Sequence, residues 1–264
     1  MSDNPHLPQE LLDHVVDLLH DARDALKSCC LVSKSWIPRT RKHLFAHVWF
    51  SSPETLQSWK NTFPDPSTSP ARYAETLSIY CPHAVTATDA KEGGWIPTFS
   101  RAVRFQMDIP WVGIDEPAVS LVPFHGFSPD LKSLRVIFSS FPLSCIFGLM
   151  DSFPLLEDLS VVTYDRFDSC DGFNGFPATV QPLRPPVFTG FLELLLGMGM
   201  GPIASRMLSL SGGLHFRGLK LLLNHRSDLS LTTALVESCG STLEFLHVDC
   251  RIGTPVSHFA YMRN

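Results

Sequence analysis

From Leu7 to Leu44 the apolar positions fall at helical spacing. Leu11, Leu12, Val15, Val16 and Leu19 mark one face of a helix, and Glu10, Asp13, His14, Asp17 and His20 take the rest. Pro8 suits the first helical turn, where its missing N–H costs nothing. The stretch from Asp21 to Asp24 offers an N-cap for a second helix carrying Ala22, Leu26, Cys29, Cys30 and, at its end, Val32. Ser33 or Ser35 then caps a third helix that contains Trp36, Thr40 and Leu44, with Pro38 in its first turn. Three helices this short carry more apolar surface than they can bury among themselves. Residues 51–75 hold Pro53, Pro64, Pro66 and Pro70 with Ser67 and Ser69 between them, which reads as a linker with a short helix from Glu54 to Lys60.

Beyond residue 75 the period changes from helical to alternating. An apolar–x–apolar signature appears at Leu77–Ile79, Val103–Phe105, Leu134–Val136, Leu159–Val161, Leu194–Leu196, Leu219–Leu221 and Leu246–Val248. Its steps are 26, 31, 25, 35, 25 and 27 residues. An apolar residue also stands three positions earlier at Leu131, Leu156, Phe191, Phe216 and Leu243, giving the L-x-x-L-x-L strand half of a leucine-rich repeat. Alternation means that each strand buries one face. Leu143–Met150, Pro202–Leu210 and Leu231–Cys239 supply helices between strands, the last stopped by Gly240. One unit cannot bury its strand face alone, so the units stack into a curved parallel sheet. The Asn or Cys usual after the second strand leucine is matched only by Asn224; Ser139, Tyr164, Gly199 and Arg251 occupy that place elsewhere, so the repeat is irregular. After Cys250 there is no polar capping unit, which leads us to expect a fragment or a poorly ordered last repeat.

Within the first helices Leu7-Pro8, Glu10-Leu11-Leu12, the Val15/Val16/Leu19 continuation, "LKSCCLVSKSW" and the basic Arg39-Thr-Arg41-Lys42 together resemble an F-box. The resemblance covers residues 7–50. It implies docking on the small adaptor subunit of a cullin-RING ubiquitin ligase through Leu7, Pro8, Leu11, Leu12, Val15, Leu19, Leu31 and Trp36. The C-terminal part would hold an unidentified protein substrate. Chains that join an F-box to irregular leucine-rich units resemble a family expanded in mushroom-forming fungi, many of whose members are longer. The resulting expectation is an α/β chain: an F-box module over 1–50, a linker over 51–75, and an irregular leucine-rich-repeat-like solenoid over 76–264. Two plainer readings stay open: Leu7–Trp36 is the first helical layer of one fold, or the strands belong to an ordinary α/β domain. A non-catalytic repeat scaffold with no ligase role is the alternative function.

Composition narrows the chemistry. A net charge of −5 argues against a broad nucleic-acid-binding surface, and the Lys34, Arg39, Arg41 and Lys42 cluster reads as a solvated face. No window reaches the apolar length of a membrane span, and residues 1–10 carry no export pattern. Seven cysteines, an odd number with no CxxC, fit reduced thiols in the cytosol or nucleus. Gly197-Met-Gly199-Met-Gly201 follows a strand, yet Pro202 stands where the third glycine of a dinucleotide fingerprint belongs. His43 and His47 lack the glutamate of a zinc-protease motif, and Asp165, Asp168 and Asp171 are spaced by three where a calcium loop wants two. No cofactor, metal site or catalytic constellation is expected. Exposed strand positions such as Ser78, Tyr80, Arg104, Arg135, Lys220 and His247, and the Thr163–Val187 insertion, are the surfaces open to a protein target.

Overall fold

The computed structural model describes residues 8–91, 93–109, 121–138, 143–163, 188–197, 201–210 and 212–251. Leu7, almost all of the Thr163–Val187 insertion, Asp165, Asp168, Asp171, Ser139, Tyr164, Gly199 and the residues after Arg251 lie outside these.

Three helices open the chain: α1 (Gln9–Leu18), α2 (Arg23–Val32) and α3 (Ile37–Leu44), with a 3-10 turn over Lys34–Trp36. Pro8 is the N-cap of α1, and Pro38 sits in the first turn of α3, where its absent N–H is harmless. Ser33 caps the 3-10 turn by accepting the Ser35 N–H at 3.3 Å. The side-chain cap expected for α2 from the Asp21–Asp24 stretch does not form; Ala22 holds the N-cap position without a side-chain bond. Val16, Leu26 and Cys29 fill the space between the helices. Thr40, fully buried, donates its hydroxyl to the Trp36 carbonyl, which satisfies a polar group that would be costly to bury alone.

Eight parallel strands follow: β1 (His47–Phe50), β2 (Thr76–Ile79), β3 (Arg104–Ile109), β4 (Ser133–Phe138), β5 (Asp158–Thr163), β6 (Phe191–Leu195), β7 (Gly218–Leu223) and β8 (Phe245–Cys250). They form one sheet in strict chain order, each strand beside the one before it. Crossovers between parallel neighbours are right-handed almost without exception, so a chain that always steps the same way keeps its connections on one face. The register makes that face continuous. Val48, Leu77, Phe105, Leu134, Leu159, Leu192, Leu219 and Leu246 form one cross-strand row; Phe50, Ile79, Met107, Val136, Val161, Leu194, Leu221 and Val248 form the next. Leu56 of α4 (Pro53–Thr62), Ile146 and Leu149 of α6 (Leu143–Asp151), Ile203 and Met207 of α7 (Gly201–Leu208), and Leu235 and Cys239 of α8 (Ser227–Cys239) are buried with those rows. A one-turn α5 (Ala87–Ala90) and several 3-10 turns complete the connecting layer.

Four expectations change. The sheet has an additional first strand, β1, inside the stretch assigned to the helical module. Residues 51–75, expected as a linker with a short helix over Glu54–Lys60, carry that helix as α4, whose Leu56 is buried and whose Trp59 meets Phe50 of β1, and a 3-10 turn whose Pro70 and Ala71 are buried. The signatures at Val103 and Leu194 begin two residues out of register: the rows run through Phe105 and Leu192 instead. A shift of two preserves the face, so the inward set is unchanged. Finally, Phe191 lies on the outer face, half exposed, and Phe188 takes the buried place, stacked on Phe216 at 5.1 Å.

Candidate partner-binding surfaces

The apolar pattern of α1 splits into two stripes, each spaced i, i+4, i+7. Leu12, Val16 and Leu19 turn inward: Val16 is buried, Leu12 and Leu19 half-buried. Leu11, Val15 and Leu18 turn outward and stay 54%, 47% and 69% exposed. On α2, Leu26 and Cys29 face inward while Leu31 and Val32 are 88% and 67% exposed. Exposed leucines scattered singly need no explanation, but five large apolar side chains on two adjoining short helices do. Of the residues that the resemblance assigned to an adaptor, Leu11, Val15 and Leu31 are exposed, Pro8 is exposed, and Leu12, Leu19 and Trp36 are half-buried. Leu18 and Val32 were not among the assigned adaptor contacts; Leu18 was legible as the i+7 partner of Leu11.

A polar staple holds α1 against α3. Asp17 accepts the Arg39 Nε–H at 2.5 Å, a second bond from the Arg39 terminal nitrogen, and His43 Nε2 at 2.7 Å. These bonds, with the Arg39 charge, hold the Asp17 carboxyl well below the ordinary aspartate value. His43 is thus engaged with a carboxylate, and His47 stands on β1 rather than on the same helix, so the two do not converge. Among the described residues no group of three or more His, Cys, Asp or Glu is placed to hold a metal.

The helices and the sheet have separate cores. The contiguous core of the sheet begins at Val48 and contains none of Val16, Leu26 or Cys29. Between α1, α3 and the turn before β2 lies an open cleft of about 510 Å³, lined by Asp13, Arg39, Lys42, Arg72, Glu75 and Arg101 among others. Charges of both signs line it.

The outer face of the sheet is the second surface. Trp49, Ser78, Gln106, Arg135, Ser160, Glu193, Lys220 and His247 form one cross-strand row on it. At the β1 end Trp49, 65% exposed, meets Tyr80 edge-on at 5.7 Å, and Gln106 donates to the Tyr80 hydroxyl at 3.0 Å. In the middle, Glu193 accepts Ser160 Oγ–H at 2.5 Å and Lys220 Nζ at 2.8 Å, with Arg135 at 3.7 Å. Burial raises the Glu193 pKa, but those bonds and charges outweigh it, and the net shift is downward. Arg104, Arg135, Lys220 and His247 are exposed as the alternation predicted; Ser78 and Tyr80 are half-buried. Trp49 was not foreseen, since β1 was hidden in the helical assignment. At the far end the Phe191 ring lies across Gly218, whose hydrogen leaves room that a Cβ would fill.

The turn after β7 is held by side-chain bonds. Asn224, after β7, donates Nδ2–H to the Leu196 carbonyl at 2.6 Å, tying one strand end to the next. Asp228, buried, accepts the N–H groups of Asn224 and His225 at 3.2 and 3.0 Å and fixes the same turn.

The chain matches no protein-family model, no curated protein and no solved structure.

Proposed function

We propose that the chain is a non-catalytic substrate receptor of a cullin-RING ubiquitin ligase. In this reading α1–α3 are an F-box that docks on the small adaptor subunit, and the sheet with its connecting helices is an irregular leucine-rich-repeat-like solenoid that holds a target protein. The observation that carries it is the outward stripe Leu11, Val15, Leu18, Leu31 and Val32, on the segment whose sequence resembles an F-box. The separate core of α1–α3 supports a module, and the in-register leucine rows with the Asn224 bond support repeats. The mechanism is tethering: a rigid scaffold raises the effective concentration of the target near the activated ubiquitin. Docking would bury leucines worth roughly 1.5–3 kcal/mol each. A charge at Leu11 forfeits that gain and adds a desolvation cost.

The test is co-purification of the adaptor with wild type and with Leu11→Asp. The reading expects loss of the adaptor with retained folding; equal recovery from both proteins contradicts it.

A second reading has its own support. Ala46, two residues after α3, accepts the N–H groups of Glu75 and Thr76 through its carbonyl, so the helices run directly into the sheet. They would then cap a repeat scaffold with no ligase role. Removing residues 1–44, which spares β1, separates the two: a cap is needed for the remainder to fold, and a module is not.

A further inference from the structure

The two ends of the sheet differ. At the β1 end the inner-face residues Val48 and Phe50 are 6% and 2% exposed. At the β8 end their row partners Leu246 and Val248 are 47% and 39% exposed, and Phe245 on the outer face is 49% exposed. No strand follows β8 among the described residues. The strand has no proline, no lysine and no break in the ladder, and its one carboxylate, Asp249, lies on the outer face.

Its main-chain groups have a fixed parity. Phe245 and Arg251 direct their N–H groups to the Arg217 and Leu223 carbonyls at 2.9 Å. In a parallel ladder alternate residues serve one neighbour, so the odd-numbered residues serve β7. Leu246, Val248 and Cys250 therefore point their N–H and C=O groups away from the sheet.

We propose that this edge pairs with the same edge of a second copy of this chain, antiparallel, about a two-fold axis through Val248. That axis is singled out by both the bonding and the side chains. It places Val248 opposite Val248, Leu246 opposite Cys250, His247 opposite Asp249 and Phe245 opposite Arg251 of the second copy. The residues with outward main-chain groups become the hydrogen-bonded pairs, as an antiparallel ladder requires. On the inner face Leu246, Val248 and Cys250 meet only each other, so the uncovered apolar row continues into its own copy. On the outer face each imidazole meets a carboxylate, and each Phe245 ring meets a guanidinium, both favourable cross-strand pairs. Asp249 keeps its own Arg251 at 3.4 Å beside the incoming His247. The interface is isologous, and it closes at two copies.

Two measurements on the full chain test this. Light scattering across a concentration series should show a dimer for wild type and a monomer for His247→Asp, which sets Asp against Asp at both outer pairs. The double swap His247→Asp with Asp249→His restores opposite charges and should restore the dimer. The second reads the register. Opposed hydrogen-bonded residues have Cα atoms about 5.5 Å apart, within disulfide reach. Leu246→Cys, joined to the exposed native Cys250, should therefore give a covalent dimer on mild oxidation, and adding Cys250→Ser should abolish it. Circular dichroism verifies that each variant folds. A wild-type monomer with no cross-link, as would follow if residues 252–264 or a different protein covered the edge, overturns the proposal. So does a dimer that survives His247→Asp and forms no Leu246→Cys cross-link.

Discussion

Replacing Asp228 by alanine probes whether the turn from β7 into α8 is held by side-chain bonds. The carboxylate is buried and accepts two main-chain N–H groups, from Asn224 at 3.2 Å and His225 at 3.0 Å, through the same oxygen. A hydrogen bond to a charged group contributes about 1.5–3 kcal/mol net, and a buried donor left without a partner loses more. Because one oxygen serves both donors, the expected loss is about 2–4 kcal/mol, less than two independent bonds. For a chain of this size that lowers Tm by roughly 4–16 °C. Asp228→Asn retains an acceptor and should lose less than half as much. Asn224→Ala removes the donor to Leu196 and should lose about 1 kcal/mol. Since Asn224 and Asp228 fix one turn, the double variant should fall short of the sum. Urea unfolding of the four variants and the wild type, followed by circular dichroism, reads all of this. An Asp228→Ala protein within 0.5 kcal/mol of wild type, or strict additivity with Asn224→Ala, would refute the reasoning.

Acidification should loosen the first helices. The Asp17 pKa is depressed on folding, so its contribution is fully present above the ordinary aspartate value of about 3.9 and is lost as pH falls below it; amide exchange in α1 and α3, compared with Asp17→Ala, measures this. Leu26 is 1% exposed and Leu31 is 88% exposed. Leu26→Ala should cost about 2–5 kcal/mol in denaturant titration and Leu31→Ala less than about 0.5. Burial, with Glu54 nearby, pushes the Cys81 thiol up to about 11, whereas Cys250 is exposed. In the His247→Asp variant, alkylation at pH 8 followed by mass spectrometry should label Cys250 readily and Cys81 only on unfolding.

How far the sequence reaches is visible in particular residues. The inward rows were legible because a strand has a period of two, and an error of two residues, as at Val103 and Leu194, leaves the face unchanged. The helices α6, α7 and α8 were legible from spacing, and Gly240 marked the end of the last, where φ is 41°. What hid β1 was its position: Val48 and Phe50 repeat the same signature, but they directly follow α3. Prolines hid the role of residues 51–75, since Pro53 begins α4 rather than breaking it, and Ser52 forms a capping box with Thr55. On α1, Leu11 and Leu12 look alike in one dimension; only the packing of α3, pinned through Asp17, decides which of them faces out. The outer face of the sheet carries residues too mixed in type to betray a ligand, and its aromatic corner at Trp49 and Tyr80 exists only because β1 lies beside β2.

The most direct test of the account is an equilibrium titration of the full chain with the purified adaptor subunit of a cullin-RING ligase, followed by calorimetry. The account predicts saturable one-to-one binding with Kd below about 10 μM and a negative heat-capacity change from apolar burial. It also predicts loss of that signal in Leu31→Asp, whose side chain supports nothing in the free protein. Absence of binding by the folded wild-type chain at about 100 μM, near −5.5 kcal/mol, would contradict it.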